Sequence, residues 1–199
     1  MNKKISEALE SMVFGKTVTF GTNSDRLFDD LKEYKKGENL FVSCVKVWHG
    51  DVIDCLEFVY NDKQYEKGKS PFFHGGRNGY LEEFKIGMGD FIQTIEGEYG
   101  RYPYSTEPAQ QNKDVIIRIR FITRNGIESK WYGNACGKGD KLKGQNFKID
   151  VGSQSVICAL SGATWKENLI LHNYIQAIGA YYMTSLDAMK LMELYKNEK

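Results

Sequence analysis

A nine-residue, β-like segment recurs three times along this chain, about sixty positions apart, and a repeat of that kind constrains the fold before any other feature does. Val52-Ile53-Asp54-Cys55-Leu56-Glu57-Phe58-Val59-Tyr60 aligns with Val115-Ile116-Ile117-Arg118-Ile119-Arg120-Phe121-Ile122-Thr123, 63 positions later. Both align with Tyr174-Ile175-Gln176-Ala177-Ile178-Gly179-Ala180-Tyr181-Tyr182, a further 59 positions on. A second element repeats in phase: Phe84-Lys85-Ile86 returns as Phe147-Lys148-Ile149, again 63 apart. Each copy is followed by a glycine (Gly89, Gly152) and then by an apolar run that ends in another (Gly97, Gly162). One β-unit is therefore used three times, and a functional position in one copy can be judged against its counterparts.

The residues around these segments also read as β. Val45-Lys46-Val47-Trp48 and Ile117-Arg118-Ile119-Arg120-Phe121-Ile122 alternate apolar with polar, the period of a strand with one solvent face. Turn signals are closely spaced, among them Gly50-Asp51, Asn61-Asp62, Gly75-Gly76, Gly87-Met88-Gly89, Asn125-Gly126 and Gly152-Ser153. Many short strands at this spacing predict a sandwich, barrel or prism. The two ends differ. Residues 1–16 form a helical extension with Ile5, Leu9, Met12 and Val13 at near-helical spacing. Residues 184–199 form a second helix, capped by Thr184 or Ser185, with a stripe of Leu186, Met189, Met192 and Tyr195. These helices read as covers for the β-domain of residues 17–183, with assembly into a homo-oligomer through them as the alternative.

Bulk properties narrow the function. A net charge of +1 over 199 residues gives no field that would draw nucleic acid, and no segment is long and apolar enough for membrane insertion. The four cysteines lack C-x-x-C spacing, and Cys55 and Cys158 sit in apolar runs, where a thiol acts as a small hydrophobe. His49, His74 and His172 show no metal-ligand spacing. Neither a nucleophile motif nor a phosphate loop is present, and Glu82-Glu83 fall on opposite faces of a strand. The expectation is a protein that is not an enzyme and needs no cofactor or metal. Lysines followed by Ser6 and Glu7 do not make a secretory signal, so a cytoplasmic location is expected, with secretion by another route left open.

Five further pieces carry a family resemblance: Gly50-Asp51-Val52-Ile53-Asp54; His74-Gly75-Gly76-Arg77-Asn78-Gly79-Tyr80; Gly89-Asp90-Phe91-Ile92-Gln93-Thr94-Ile95-Glu96-Gly97; Arg120-Phe121-Ile122-Thr123-Arg124-Asn125-Gly126; and Tyr174-Ile175-Gln176-Ala177-Ile178-Gly179-Ala180-Tyr181. In this order, on a threefold repeat, the chain resembles the jacalin-related lectins of the mannose-binding type over residues 17–183. The resemblance implies an all-β prism of three four-stranded, antiparallel Greek-key sheets with pseudo-threefold symmetry, one of them built from both chain ends. It also implies glycan partners of the mannose/glucose type.

In that family a Gly-x-x-x-Asp loop supplies backbone N–H groups and a carboxylate to the sugar, and a Gly-Gly loop faces it. A carboxylate accepts from two adjacent hydroxyls at once, and glycine lets a backbone approach a sugar ring. Only the first repeat keeps both parts. Gly50, Asp51, Val52, Ile53 and Asp54 form the loop, with Gly75, Gly76 and Arg77 opposite, so these are the expected carbohydrate-binding residues. The last repeat, the family's usual principal site, departs from the pattern. Gln176 stands at the aspartate position after Asn173 and Tyr174, and Ser24-Asp25 replaces the Gly-Gly pair, which leaves a degenerate second site where Trp165 or Tyr174 would stack on sugar. The middle repeat has Ile117 there. Two worn copies out of three keep a second function in view, an interaction or scaffold module on a lectin fold.

Overall fold

The computed structural model describes residues 3–22, 26–36, 41–61, 70–102, 114–134, 142–166 and 173–197. Helix α1 (Lys3–Ser11) leads into β1 (Gly15–Lys16), β2 (Phe20–Gly21), β3 (Leu27–Asp29) and the short α2 (Leu31–Tyr34). Strands β4 (Val42–His49), β5 (Ile53–Tyr60), β6 (Phe73–Gly75) and β7 (Tyr80–Lys85) follow. Next come β8 (Ile92–Arg101), β9 (Asp114–Thr123), β10 (Tyr132–Gly133) and β11 (Gln145–Asp150). The chain closes with β12 (Ser155–Lys166), β13 (Asn173–Thr184) and helix α3 (Ser185–Lys196).

These strands form three antiparallel sheets with one plan. Their orders are β6-β5-β4-β7, β10-β9-β8-β11 and β1-β13-β12-β3. The three copies of the sequence repeat, β5, β9 and β13, occupy the same interior place in each. In the third sheet β1 and β2 are two pieces of one edge strand, pairing Lys16 with Tyr181 and Phe20 with Ile178 along β13, while Thr17 N–H bonds the Ala180 carbonyl between them. Both chain ends thus complete one sheet, and Gly15 and Lys16 belong to it.

The inward faces meet in a common core. Val45, Val47, Leu56 and Phe58 come from the first sheet, Ile95, Ile119 and Phe121 from the second, and Leu160, Ile175 and Ile178 from the third. The alternation in β9 works as read: Ile119 and Phe121 are buried, while Arg118 and Arg120 face outward and pair with Glu98 and with Glu96 and Glu128. Strand β5 differs, because all eight of its residues are buried, including Glu57.

Each sheet also carries two β-bulges. One lies on the inner partner strand, at Ser43, Gln93 and Cys158. The other lies on the repeat strand, at Asp54, Ile117 and Gln176. A bulge leaves its extra residue outside the ladder and re-aims its side chain.

Several sequence expectations need correction. Gly97 and Gly162 do not end their strands; each sits mid-strand where a Cβ would meet the ring of Phe147 or Phe28 on the adjoining edge strand, at 2.4 and 2.7 Å. Phe84 and Phe147 are 63 apart but are not at equivalent places. Counted from the bulges, Gly97 corresponds to Val47, yet Phe84 pairs with Val45 and Phe147 with Gly97, a two-residue shift that preserves the face. In α1 the buried residues are Ile5, Ala8 and Leu9, and Val13 is 82% exposed. In α3 Thr184 caps the helix by accepting from the Asp187 N–H, but the buried face is Ala188, Leu191 and Met192, whereas Leu186 and Met189 point outward. Cys44, Cys55 and Cys158 are buried free thiols, and Cys136 lies outside the described residues. Burial pushes the Cys44 thiol up to about 11 and the other two higher still.

Candidate functional site

The three bulges gather at one end of the prism, and each is met by a glycine with left-handed backbone. Gly75 (φ 108°), Gly133 (φ 85°) and Gly21 (φ 102°) face the bulges of Asp54, Ile117 and Gln176. A Cβ on any of them would lie 2.0 to 2.2 Å from the carbonyl oxygen of its bulged residue. Only glycine fits such a position, both for its φ and for the approach. The N–H of the next residue then bonds that carbonyl in two units, Gly76 to Asp54 at 3.0 Å and Thr22 to Gln176 at 3.2 Å. Gly21-Thr22 is therefore the structural counterpart of Gly75-Gly76. Ser24 and Asp25, to which the sequence pattern gave that place, lie outside the described residues.

What the bulge presents differs in each unit. In the first it is Asp54, only 6% exposed. No donor or cation among the described residues bonds its carboxylate. One oxygen lies against Gly79, where a Cβ would be 2.9 Å away, and Gly79 itself needs its left-handed φ of 71° to pass the His49 carbonyl. Burial first, and then the Asp51 carboxylate, push the Asp54 carboxyl from 3.8 up to about 7. Asp51 is half-exposed. Its carbonyl accepts from the Asn134 N–H at 3.0 Å, and its carboxylate accepts from the Tyr102 hydroxyl at 3.5 Å. No group among the described residues accepts from the N–H of Asp51 or Val52. The Val52 side chain turns inward, and Ile53, the first residue of β5, is fully buried in the core. A Cβ on Gly50 would meet nothing.

The middle unit is closed. Ile117 is fully buried, and the side chain of Asn134 clamps Leu142 by accepting from its N–H at 3.1 Å and donating to its carbonyl at 3.4 Å. In the last unit Gln176 is 1% exposed, and its amide oxygen has no partner among the described residues, nor does that of Asn173. Tyr174 does not offer a stacking face. It packs with Val52, Val115, Ile117 and Leu142 in a small cluster where the first residues of the three repeats meet, with Tyr102 edge-on at 5.6 Å.

Two histidines that sequence reasoning set aside hold the first unit in place, one before each loop. His49 Nδ1 accepts from the Gly133 N–H at 3.1 Å, so the proton is on Nε2, which donates to Glu82 at 3.0 Å. Glu82 also accepts from Lys130, and these donors lower its carboxyl. His74 pairs with the buried Asp30 at 2.7 Å and stacks on Phe28 at 3.9 Å. Burial raises the Asp30 carboxyl against the opposing pull of His74. The sequence signal for His74 is an aromatic or His residue before the facing glycine in every unit: Phe20-Gly21, His74-Gly75 and Tyr132-Gly133.

A desolvated carboxylate and two N–H groups, unpaired among the described residues and beside a glycine-lined approach, can accept from and donate to neighbouring hydroxyls. Among the described residues no group of three or more His, Cys, Asp or Glu side chains could hold a metal ion.

Three antiparallel four-stranded sheets, with one bulge each at a common end, define a β-prism of the lectin type. The chain belongs to the jacalin-like lectin domain family, whose model matches residues 17–181. Helices α1 and α3 fall outside that match. Solved structures share the fold. A mannose-binding jacalin-related lectin from pineapple (Ananas comosus) is 20% identical over 86% of this chain and 98% of its own, with a TM-score of 0.60. The F84T form of Malaysian banana lectin is 23% identical over 86% and 98%, with a TM-score of 0.59. Artocarpin in complex with mannopentose is 16% identical over 84% and 96%, with a TM-score of 0.61. No curated protein sequence matches the chain.

Proposed function

We propose that this protein is a non-catalytic, metal-independent lectin for mannose/glucose-type glycans, with its sugar site in the first repeat. The observation that carries this reading is the environment of Asp54: a buried carboxylate whose acceptor sites no described residue uses, on a bulge faced by Gly75, Gly76 and Gly79. A carboxylate only 6% exposed with no donor among the described residues is costly to ionise, and a ligand hydroxyl relieves that cost. The open space at Gly50 adds support, because packing gives no reason for glycine there. Asp54 accepts two hydroxyls, and the Asp51 and Val52 N–H groups donate to sugar oxygens. The solved neighbours named as mannose-binding point to the same sugar class. Residues 17–183 form the lectin unit, with the helices as additions. The buried free thiols fit a reducing, cytoplasmic setting.

A second reading, a protein-interaction module on the same fold, is favoured by the closed middle unit and by Gln176 in the last. A glycan array probed with the wild-type chain and with Asp54→Ala decides between them. Mannose-type signals that vanish in the variant support the lectin. An empty array for both supports the interaction module.

A further inference from the structure

Arg77 lies in the loop that faces Asp54, between Gly76, whose N–H bonds the Asp54 carbonyl, and Gly79, which abuts the Asp54 carboxylate. Its guanidinium rests on the rings of Phe73 and Trp48, at 4.6 and 5.8 Å. Among the described residues it has no ion pair and no hydrogen bond, and its Nε is buried without a partner. The second sheet shows what such a group normally has. There Arg118 and Arg120 rest on Trp131 at 4.5 and 4.8 Å in the same manner, and each is also bound by glutamate, Glu98 in one case and Glu96 with Glu128 in the other. Among the described residues Arg77 has the aromatic support without the carboxylate. A stacked guanidinium is already ordered, so a ligand oxyanion that meets it loses little conformational freedom on binding.

We propose that Arg77 reads an anionic group, so that the preferred glycan carries a sulfate, a phosphate or a uronate carboxylate on the sugar next to the one held by Asp54. This rests on the sugar-binding reading of the first repeat. The chemistry is a planar fork of N–H donors meeting two oxyanion oxygens. The position follows from charge. Asp54 and Asp51 repel an anion on their own side of the site, and among the described residues no ion pair joins Arg77 to either carboxylate. The anion therefore belongs to the neighbouring residue of the glycan, at the Arg77 guanidinium.

The test is a titration of the full chain with three matched pairs of mannose- or glucose-containing disaccharides, each pair differing only by a sulfate, a phosphate or an oxidised C6 carboxylate. At least one anionic member is expected to bind about tenfold tighter than its neutral partner, the size of one charge-assisted contact. That advantage should shrink in 0.5 M salt, where charges are screened over roughly 4 Å. In Arg77→Gln, which still covers Phe73, the anionic-to-neutral ratio should fall to near one, and in Arg77→Lys it should be partly kept. The three arms distinguish the source of the anion. Neutral and anionic members that bind alike in the wild-type chain, or a preference that survives Arg77→Gln, overturn the assignment while leaving the sugar site standing. No binding of either member overturns the sugar site, and Arg77 with it.

Discussion

Asp54 sits where folding and binding make opposite demands. Its carboxyl is raised from 3.8 to about 7, so the folded chain holds a proton that the unfolded chain releases between those values. The associated stability is full below about pH 4 and is lost as pH rises through about 7. With each unit of such a shift equivalent to about 1.4 kcal/mol, Asp54→Asn should stabilise the unliganded protein at pH 8, by at most about 4 kcal/mol. Urea melts of both forms at pH 4 and pH 8 check this, and equal stability at pH 8 would show that burial does not penalise the charge. Gly75→Ala should act in the other direction. Its Cβ would enter the Asp54 carbonyl from a left-handed backbone, at a cost of about 1–3 kcal/mol. The correspondence of Asp54, Ile117 and Gln176 was legible in the sequence because one side-chain period and two offsets fixed it. The partner glycine of the last unit was not, because β1 and β2 are too short to carry a pattern, and Gly21 reads like any turn glycine.

Helix α3 shows what a hydrophobic pattern leaves open. Leu186, Met189 and Met192 make as regular a stripe as Ala188, Leu191 and Met192, and only the surface beneath decides which is buried. Leu191→Ala should cost about 2–5 kcal/mol, the range for a core truncation, whereas Leu186→Ala should lie within about 0.5 kcal/mol of wild type. Chemical denaturation of the two variants would reveal the opposite order if the sequence stripe were the packed one. Strand β9 was legible because its outer face is charged, with arginines alternating against isoleucines. Strand β5 was recognised only as a repeat copy, since a strand buried on both faces has no alternation to read. In the sequence the glycines inside β8 and β12 read as strand ends, because glycine weakens a strand interior. Here they make room for Phe147 and Phe28, a reason that lies on another strand.

At the scale of the molecule, the third sheet joins residues 15–29 to residues 155–184, so the prism closes only when both chain ends are in place. Removal of residues 1–22 would take away α1 and the edge strand that covers β13, including the Gly21 contact with Gln176. We expect the shortened chain to lose a cooperative thermal transition in far-UV circular dichroism, and a melt within a few degrees of the full chain would contradict this. The threefold β-repeat was legible and left a sandwich, barrel or prism open; the prism among them came from the resemblance to the jacalin-related lectins. The cluster of Val52, Val115 and Tyr174 at the axis was not, since those residues are brought together by symmetry and not by any local pattern. Tyr174 packs there with Ile117 and Leu142 as well, which leaves it 9% exposed.

The most direct test of the sugar site is a calorimetric titration with a methyl mannoside at pH 8 and pH 6, on wild type, Asp54→Asn and Gln176→Ala. If the ionised Asp54 accepts the sugar hydroxyls, wild-type affinity falls about tenfold at pH 6, where roughly a tenth of a group titrating near 7 is charged. Asp54→Asn then binds about ten- to a hundredfold more weakly at pH 8 and shows no pH dependence, while Gln176→Ala stays close to wild type. Binding that ignores Asp54 and is lost on changing Gln176 would contradict the assignment and move the site to the last repeat.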